Sequence, residues 1–262
     1  MHWTRRRVAL AAWASLLVLA AASGPVAGLL GGVPGVDVRV VLPSGRAYIL
    51  HTPPLLRLHP TMAEGRPAMI FLHGFQDDVS GAIRSTGFNA LADRDGDLVA
   101  YPEGVRRSFD AGLCCGDAVA FAVDDVGFLS QVVADLRRRG AGRIAVAGFS
   151  NGAMMAYRLG CTRPRLVDSV AAMSGTLELP RCAGPIRALA LHGRRDQTVP
   201  FTGTAYSLLL RCFLRDVRTI PAAAPGSHIM IELIPGVSHR WTVPRDPVDA
   251  TARFWAFARM GD

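Results

Sequence analysis

Residues 143–159, RIAVAGFSNGAMMAYRL, contain the pattern from which the fold of this chain can be predicted. An apolar run typical of a buried strand leads into Gly148-Phe149-Ser150-Asn151-Gly152, and an apolar helix-forming segment follows directly. A serine between two glycines at a sharp strand-to-helix turn holds its hydroxyl away from the backbone, as a nucleophile requires. The helix that starts after the turn directs its N-terminal amides at the place where negative charge would develop. We therefore predict that Ser150 is a nucleophile.

Seven further apolar runs, each bounded by turn residues, are predicted to be strands. They are residues 36–41, 47–51, 68–72, 97–101, 169–173, 186–191 and 229–234. The first two flank Pro43-Ser44-Gly45 and predict a hairpin, whereas the later runs are almost continuously apolar, which is typical of strands covered on both faces. Helices are predicted near residues 124–139, 153–159 and 247–260. This alternation predicts one α/β domain with a mostly parallel eight-stranded sheet and helices on both faces.

A serine nucleophile needs a base, and the base needs an acid that holds its tautomer. In a strand–turn–helix site of this kind the chain order is serine, acid, histidine. Asp196 lies in the loop after the seventh predicted strand, and His239 lies in the loop after the eighth. We predict that Ser150, Asp196 and His239 form a catalytic triad. The backbone amides of Asn151 and of Phe75, in the loop after the third strand, are the predicted oxyanion hole.

Three other side chains near these loops have predicted roles. His73 and His192 each end a strand before a glycine, where we expect contacts with the backbone or a turn. Trp241, two residues after His239, could line the leaving-group side of the site or pack as a core aromatic, since large aromatics serve both uses. The sequence has no His-x-x-x-His pair or dense acidic cluster, so we expect neither a metal nor a cofactor.

The N-terminal residues have the pattern of a secretory signal peptide. Residues 1–22 contain three arginines, at 5–7, and continue from residue 8 as small and apolar residues. The apolar run of about 15 residues is shorter than the ~20 needed to cross a bilayer, although a retained anchor is the alternative. We expect a signal peptide over 1–22, a flexible leader over 23–35 and a single catalytic domain over 36–262. The protein is expected to be secreted or associated with the cell envelope, without stable insertion in the membrane.

Composition narrows the class of protein and the kind of partner. The chain has 262 residues, of which 50% are hydrophobic and 19% charged, so it is neither disordered nor a small disulfide scaffold. Its formal net charge is +8, and all 29 basic residues are arginine. The arginine runs at 106–107, 137–139 and 194–195 are short and lack interleaved aromatics, which is typical of solvated faces and not of a nucleic-acid site. We expect a monomer whose partner is its substrate.

Five cysteines are present: Cys114, Cys115, Cys161, Cys182 and Cys212. Export would place them in an oxidising compartment, where disulfides form, and an odd number leaves at least one unpaired. We expect two bridges that join the adjacent pair at 114–115 to Cys161 and Cys182, in an order that the sequence leaves open. Cys212 is expected to be free.

Several segments besides the serine turn resemble one known family. They are 71–74 (FLHG), 101–104 (YPEG), 111–116 (AGLCCG), 123–128 (VDDVGF), 148–154 (GFSNGAM) and 238–241 (SHRW). With these motifs the chain resembles the secreted polyhydroxybutyrate-depolymerase and feruloyl-esterase-like group of the α/β-hydrolases. The resemblance implies an α/β-hydrolase fold and hydrolysis of carboxylic esters through an acyl-enzyme at Ser150. Phe75, Phe109-Asp110 and the absence of a tryptophan at 203–215 depart from the family pattern and bear on substrate preference.

The resemblance also indicates how open the site is. α/β-Hydrolases often insert a lid between strands six and seven, but here only residues 174–185 lie between them. We therefore expect no large lid and an open cleft, which suits a polymer-attached or wall-attached ester of the polyhydroxybutyrate, feruloyl or acetyl type. Two alternatives stay open: the same triad could cleave a peptide or thioester, or the chain could be a cell-envelope binding protein on a hydrolase scaffold.

Overall fold

The computed structural model describes residues 33–207 and 210–260. The predicted signal peptide and residues 23–32 of the predicted leader lie outside these ranges. The chain divides into two units, Met1–Pro34 and Gly35–Asp262, and every strand and helix with described bounds belongs to the second. Within the described ranges, no helix combines the length and apolar character that crossing a membrane requires.

An eight-stranded sheet contains all eight predicted strands. In chain order its strands are β1 (Val36–Val41), β2 (Ala47–Thr52), β3 (Pro67–Leu72), β4 (Leu98–Pro102), β5 (Arg143–Phe149), β6 (Ser169–Met173), β7 (Arg187–Gly193) and β10 (His228–Ile234). The spatial order is β1-β2-β4-β3-β5-β6-β7-β10. β2 pairs antiparallel with β1 and β4, and every other pair in this sheet is parallel. The predicted hairpin and the mostly parallel sheet are therefore confirmed.

Helices follow most of the parallel strands. They are α1 (Pro54–Leu58), α2 (Val79–Thr86), α3 (Phe88–Asp95), α4 (Gly116–Ala120), α5 (Asp125–Arg138), α6 (Asn151–Thr162), α7 (Ile220–Ala223) and α8 (Ala250–Arg259), with 3₁₀ turns at Pro60–Ala63 and Val217–Thr219. The three predicted helices correspond to α5, α6 and α8. At the start of α5 the Asp124 side chain accepts a hydrogen bond from the Gly127 N–H, and arginines occupy its last turn, so both ends complement the helix dipole.

Each face of the sheet packs against its own apolar core. Ile70 and Leu72 of β3 join the cluster that contains α5 and α6, whereas Met69 and Phe71 of the same strand join the cluster that contains α3 and α8. Successive strand residues point to opposite faces, so a strand covered on both sides must be apolar at every position. This packing explains the continuous apolar runs in the sequence and confirms helices on both faces.

The connections on either side of β7 differ in size. Residues 174–186, which are all described, join β6 to β7 without a helix or strand, so no large lid is inserted there. The longer connection joins β7 to β10 and contains a small antiparallel hairpin of β8 (Thr204–Ser207) and β9 (Cys212–Leu214). The apolar pattern did not predict this hairpin, because its strands are only four and three residues long.

Candidate active site

Ser150 occupies the sharp turn between β5 and α6. Its φ of 54° and ψ of −119° lie in a region that residues with a side chain rarely adopt, and the residue is only 4% exposed. A side chain at Gly152 would collide with the backbone oxygens of Leu72 and His73, and one at Gly148 would collide with Gly152. The two glycines are therefore needed to bring strand, turn and helix this close together.

The structure brings the three residues of the predicted triad together. His239 Nε2 lies 3.0 Å from Ser150 Oγ, and His239 Nδ1 lies 2.8 Å from Asp196 Oδ2. A carboxylate only accepts hydrogen bonds, so the ring tautomer that fits both partners has its proton on Nδ1. Nε2 is then free to accept the proton of the serine hydroxyl. This is the geometry of a general base held against a nucleophile.

Asp196 is held in place by the backbone of its own loop. Its Oδ1 accepts hydrogen bonds from the N–H groups of Thr198, at 3.0 Å, and Val199, at 2.9 Å, which leaves Oδ2 directed at His239. Burial by itself would raise the pKa of this carboxyl, but the hydrogen bonds from His239 and Val199 hold it below its usual range. Asp196 is therefore ionised at neutral pH and can stabilise a protonated His239.

His192 closes the loop that carries the acid. Its Nε2 donates a hydrogen bond to the Val199 carbonyl at 2.7 Å, while Asp196 Oδ2 lies 3.7 Å from the same nitrogen. Burial lowers the pKa of His192, so its ring is neutral at neutral pH. The backbone role predicted for this histidine is the one that the structure shows, and His239 remains the histidine within hydrogen-bond distance of the acid.

His73 orients the loop that contains Phe75. Its Nδ1 donates to the Gly74 carbonyl at 2.8 Å, and its Nε2 accepts the Gly104 N–H at 3.1 Å. The C=O and N–H of a trans peptide point in opposite directions, so fixing the Gly74 carbonyl also fixes the direction of the Phe75 N–H. Gly74 lies against Ser150, since a Cβ built on it would be 3.6 Å from the serine Cβ. The predicted oxyanion loop therefore borders Ser150.

The Asn151 side chain has a role that the sequence did not suggest. Its Oδ1 accepts the Phe109 N–H at 2.8 Å, and its Nδ2 donates to the carbonyls of Phe109, at 2.9 Å, and Cys114, at 3.3 Å. The backbone N–H of Asn151 belongs to the first turn of α6, where amides have no acceptor within the helix. Asn151 thus places a free backbone amide beside Ser150, and its side chain holds the loop that residues 109–115 form.

The motif at 123–128 anchors the same loop from its other side. The buried carboxylate of Asp125 accepts a hydrogen bond from the Asp110 N–H at 2.6 Å and forms an ion pair with Arg46 at 2.6 Å. Asp124, its neighbour, caps α5. Of the two adjacent acids, Asp124 therefore caps the helix and Asp125 holds the loop.

Trp241 packs among aromatic side chains. Its ring centroid lies between 5.2 and 6.5 Å from those of four phenylalanines, namely Phe71, Phe88, Phe149 and Phe254. The indole N–H donates to Thr251 Oγ1 at 3.0 Å. These contacts pack one side of the partly buried ring against the apolar core. Its predicted place on the leaving-group side of the site stays a prediction. Phe149 in turn packs 4.9 Å from the His239 ring, so Trp241 supports the histidine through it.

The predicted disulfide pairing is wrong. Cys161 is bonded to Cys182, and Cys114 is bonded to its neighbour Cys115, while Cys212 is free as expected. Cys161, near the end of α6, lies beside the loop between β6 and β7, where the Ala183 N–H donates to the Cys161 carbonyl at 2.8 Å. The adjacent cysteine pair lies instead next to Cys212. Spacing along the chain could not reveal which loops meet.

Two of the buried histidines, His73 and His192, predict how stability depends on pH. Burial lowers the pKa of both His73 and His192, whereas a histidine in the unfolded chain binds a proton near pH 6.5. The unfolded state therefore binds more protons below about pH 6.5. We expect the free energy of unfolding to fall with decreasing pH there, by up to about 1.4 kcal/mol per pH unit for each histidine.

Urea unfolding at about pH 7.5 and about pH 5.5 measures this dependence, in the range where the free histidine titrates. The variant His192→Gln should reduce it, because it removes one of the two groups. The matched control is His59→Gln at an exposed position, which should leave it unchanged. An equally steep dependence in His192→Gln would contradict the assignment of a neutral, buried ring.

A second prediction concerns the loop held by Asn151. Asn151→Ala keeps the backbone amide but leaves the buried Phe109 N–H without its acceptor. We expect the free energy of unfolding to fall by about 1–3 kcal/mol, the usual cost of an unpaired buried polar group. Denaturant unfolding followed by circular dichroism measures the change. An unchanged midpoint would show that the loop does not depend on this side chain.

Comparison with known proteins finds similarity to esterases. A family model described as Phospholipase/Carboxylesterase matches residues 128–221, which include Ser150 and Asp196. A putative esterase, NocK, from Nocardia uniformis subsp. tsuyamanensis is 37% identical over 173 residues, or 63% of this chain and 49% of that protein. A probable feruloyl esterase C from Aspergillus niger is 37% identical over 138 residues, or 50% of this chain and 42% of that protein. The chain thus spans about half the length of these relatives or less.

Solved structures share the fold. The acetyl xylan esterase from Aspergillus awamori matches 86% of this chain and 100% of its own length, with a TM-score of 0.58 and 16% identity. The esterase PE8 matches 86% of this chain with a TM-score of 0.54 and 18% identity. At such identities the likeness concerns the fold, and it confirms the predicted α/β-hydrolase architecture. The chain therefore has an α/β-hydrolase fold, and its family match and relatives make it similar to esterases of that fold.

Proposed function

We propose that this protein is a serine esterase that hydrolyses carboxylic esters through an acyl-enzyme on Ser150. The observation that carries the proposal is the convergence of three side chains that are remote in sequence. His239 Nε2 lies 3.0 Å from Ser150 Oγ, and its Nδ1 lies 2.8 Å from a buried carboxylate of Asp196. The relatives named as esterases support an ester as the bond that is cleaved.

In the proposed mechanism His239 accepts the proton of Ser150 as Oγ attacks the ester carbonyl. The carbonyl oxygen becomes an oxyanion, which the N–H groups of Asn151 and Phe75 stabilise. Each donor of this kind typically lowers the barrier by a few kcal/mol. Asp196 stabilises the protonated His239, which then gives its proton to the leaving alkoxide. Water attacks the acyl-enzyme in the same way, with His239 again as base, and releases the acid.

The substrate class is proposed from the shape of the chain around the site. The short connection between β6 and β7 leaves that side of the site without a large lid. An open site suits a polymer-attached or wall-attached ester, such as a feruloyl, acetyl or hydroxybutyrate ester. We further propose that residues 36–262 form a single catalytic domain, monomeric and exported to the cell exterior or envelope, whose partner is this ester and not a nucleic acid.

A substrate panel tests the proposal. It contains p-nitrophenyl acetate, methyl ferulate, acetylated xylan, hydroxybutyrate oligomers, a thioester and chromogenic peptides. We expect turnover of oxygen esters that disappears in Ser150→Ala. Activity confined to the peptides or the thioester would overturn the assignment of an esterase while leaving the triad in place. Absence of turnover on every substrate would favour a binding protein built on this scaffold.

A further inference from the structure

Three cysteine sulfurs form a cluster beside the candidate site. The Sγ atoms of Cys114, Cys115 and Cys212 all lie within 4.8 Å of one another, and all three residues are buried. Cys114 and Cys115 are bonded to each other, and Cys212 carries a free thiol. Among the described residues this is the one group of three or more cysteine, histidine or acidic side chains whose ligand atoms all lie this close together. A disulfide and a thiol at this distance are reactants for thiol–disulfide exchange.

We propose that the three cysteines share one disulfide, which forms between Cys212 and one member of the adjacent pair as well as within the pair. The sulfurs belong to two separate parts of the fold. Cys212 starts β9 of the small hairpin, whereas Cys114 and Cys115 lie in the loop held by Asn151. A bond from Cys212 would therefore join the hairpin covalently to the loop next to the oxyanion amide.

The exchange is balanced without any added oxidant or reductant. Cys212 loses its proton and its thiolate attacks the sulfur of one cysteine of the pair. A new S–S bond forms as the bond between Cys114 and Cys115 breaks, and the electron pair leaves with the sulfur that was not attacked. That sulfur takes up the proton, so the protein again holds one disulfide and one thiol. The sulfurs that would bond lie within 4.8 Å of one another, against the ~2.05 Å of a disulfide.

The surroundings of Cys212 make the exchange slow once the protein has folded. Burial, together with the nearby charge of Glu178, raises the pKa of the Cys212 thiol to about 12. The attacking thiolate is therefore scarce at neutral pH. We infer that the pairing is set mainly during oxidative folding, when the thiols are still exposed, and that both pairings persist in the folded protein long enough to be identified.

Peptide mapping of the full chain, purified without reductant, tests the proposal without any substrate. The protein is denatured in acid, its free thiols are blocked with N-ethylmaleimide, and it is cleaved with trypsin. Arginines at 107, 137, 211 and 215 place the adjacent pair in peptide 108–137 and Cys212 in peptide 212–215. Peptides 159–165 and 182–187, which contain Cys161 and Cys182, provide an internal reference pair.

We expect a fraction of peptide 212–215 to be disulfide-linked to peptide 108–137, which then carries one N-ethylmaleimide group. Peptides 159–165 and 182–187 should be disulfide-linked to each other in every sample. The proposal is wrong if all of peptide 212–215 carries the label and peptide 108–137 carries none. It is also wrong if all three cysteines are labelled, because the cluster would then hold no disulfide.

Two single variants provide a second measurement. In Cys114→Ser and in Cys115→Ser the remaining cysteine of the pair can bond only to Cys212 within the cluster. We expect both variants to lose the N-ethylmaleimide label on peptide 212–215. Full labelling of that peptide in both variants, with near-native circular dichroism, would overturn the proposal. Cys212→Ser is the matched control, in which peptide 108–137 should carry no label.

Discussion

Ser150→Ala should lower kcat for ester hydrolysis by a factor of roughly 10⁴ to 10⁶, the range seen when the nucleophile of a serine hydrolase is removed. Without Oγ no acyl-enzyme can form, and only the oxyanion donors and binding contacts remain. Initial rates on the best ester of the panel, at saturating concentration, measure the loss.

Ser130→Ala is the matched control. Ser130 lies on α5, and its hydroxyl donates only to the Val126 carbonyl one turn earlier, at 2.7 Å. Its removal should leave kcat within a factor of two or so, as expected for a substitution away from the site. If Ser150→Ala keeps most of its activity while its circular dichroism is unchanged, another residue is the nucleophile.

Asp196→Asn should lower kcat by about 10⁴, as the corresponding change does in serine proteases. The amide NH₂ can donate to His239 Nδ1, which favours the ring tautomer with its proton on Nε2. In that tautomer the nitrogen facing Ser150 cannot accept the hydroxyl proton. The carboxylate that stabilises the protonated ring is lost at the same time. Single-turnover kinetics of acyl-enzyme formation measure the effect directly.

Asp216→Asn is the control for the acid. Asp216 forms an exposed ion pair with Arg218 and lies outside the triad. We expect its removal to change kcat little. If both variants lose the same factor in kcat, the loss does not depend on the position of the carboxylate. Asp196 would then have no special role in the reaction.

The eight strands of the main sheet were predictable because each is an apolar run bounded by turn residues. The ends of the predicted and observed strands differ by two residues at most, as for Arg187–Gly193 against a predicted 186–191. The convergence of Ser150, Asp196 and His239 was predictable for a related reason. Loops that follow parallel strands meet at the carboxyl edge of the sheet, so the order of the strands limits which side chains can converge.

The disulfide pairing and the hydrogen bonds of Asn151 could not be predicted from the sequence, because they depend on contacts between distant loops. The pairing of Cys161 with Cys182 depends on how the connection between β6 and β7 packs beside α6. The proximity of Cys212 to the adjacent pair depends on how the connection between β7 and β10 packs. The clamp formed by Asn151 has no periodic signal, because it is one buried amide that bonds a loop some forty residues away. The residue type was visible in the serine motif, but its partners were not.

Labelling with a fluorophosphonate probe tests most directly whether Ser150 is an activated nucleophile. The probe bonds covalently to a serine whose hydroxyl is activated by a base, so it needs no knowledge of the natural ester. Cleavage after the arginines at 143 and 158 places Ser150 in peptide 144–158. We predict that mass spectrometry finds the probe on Ser150 in the wild-type protein and none in Ser150→Ala or His239→Ala. A probe bound to a different serine, or no labelling of the folded wild-type protein, would show that Ser150 is not an activated nucleophile.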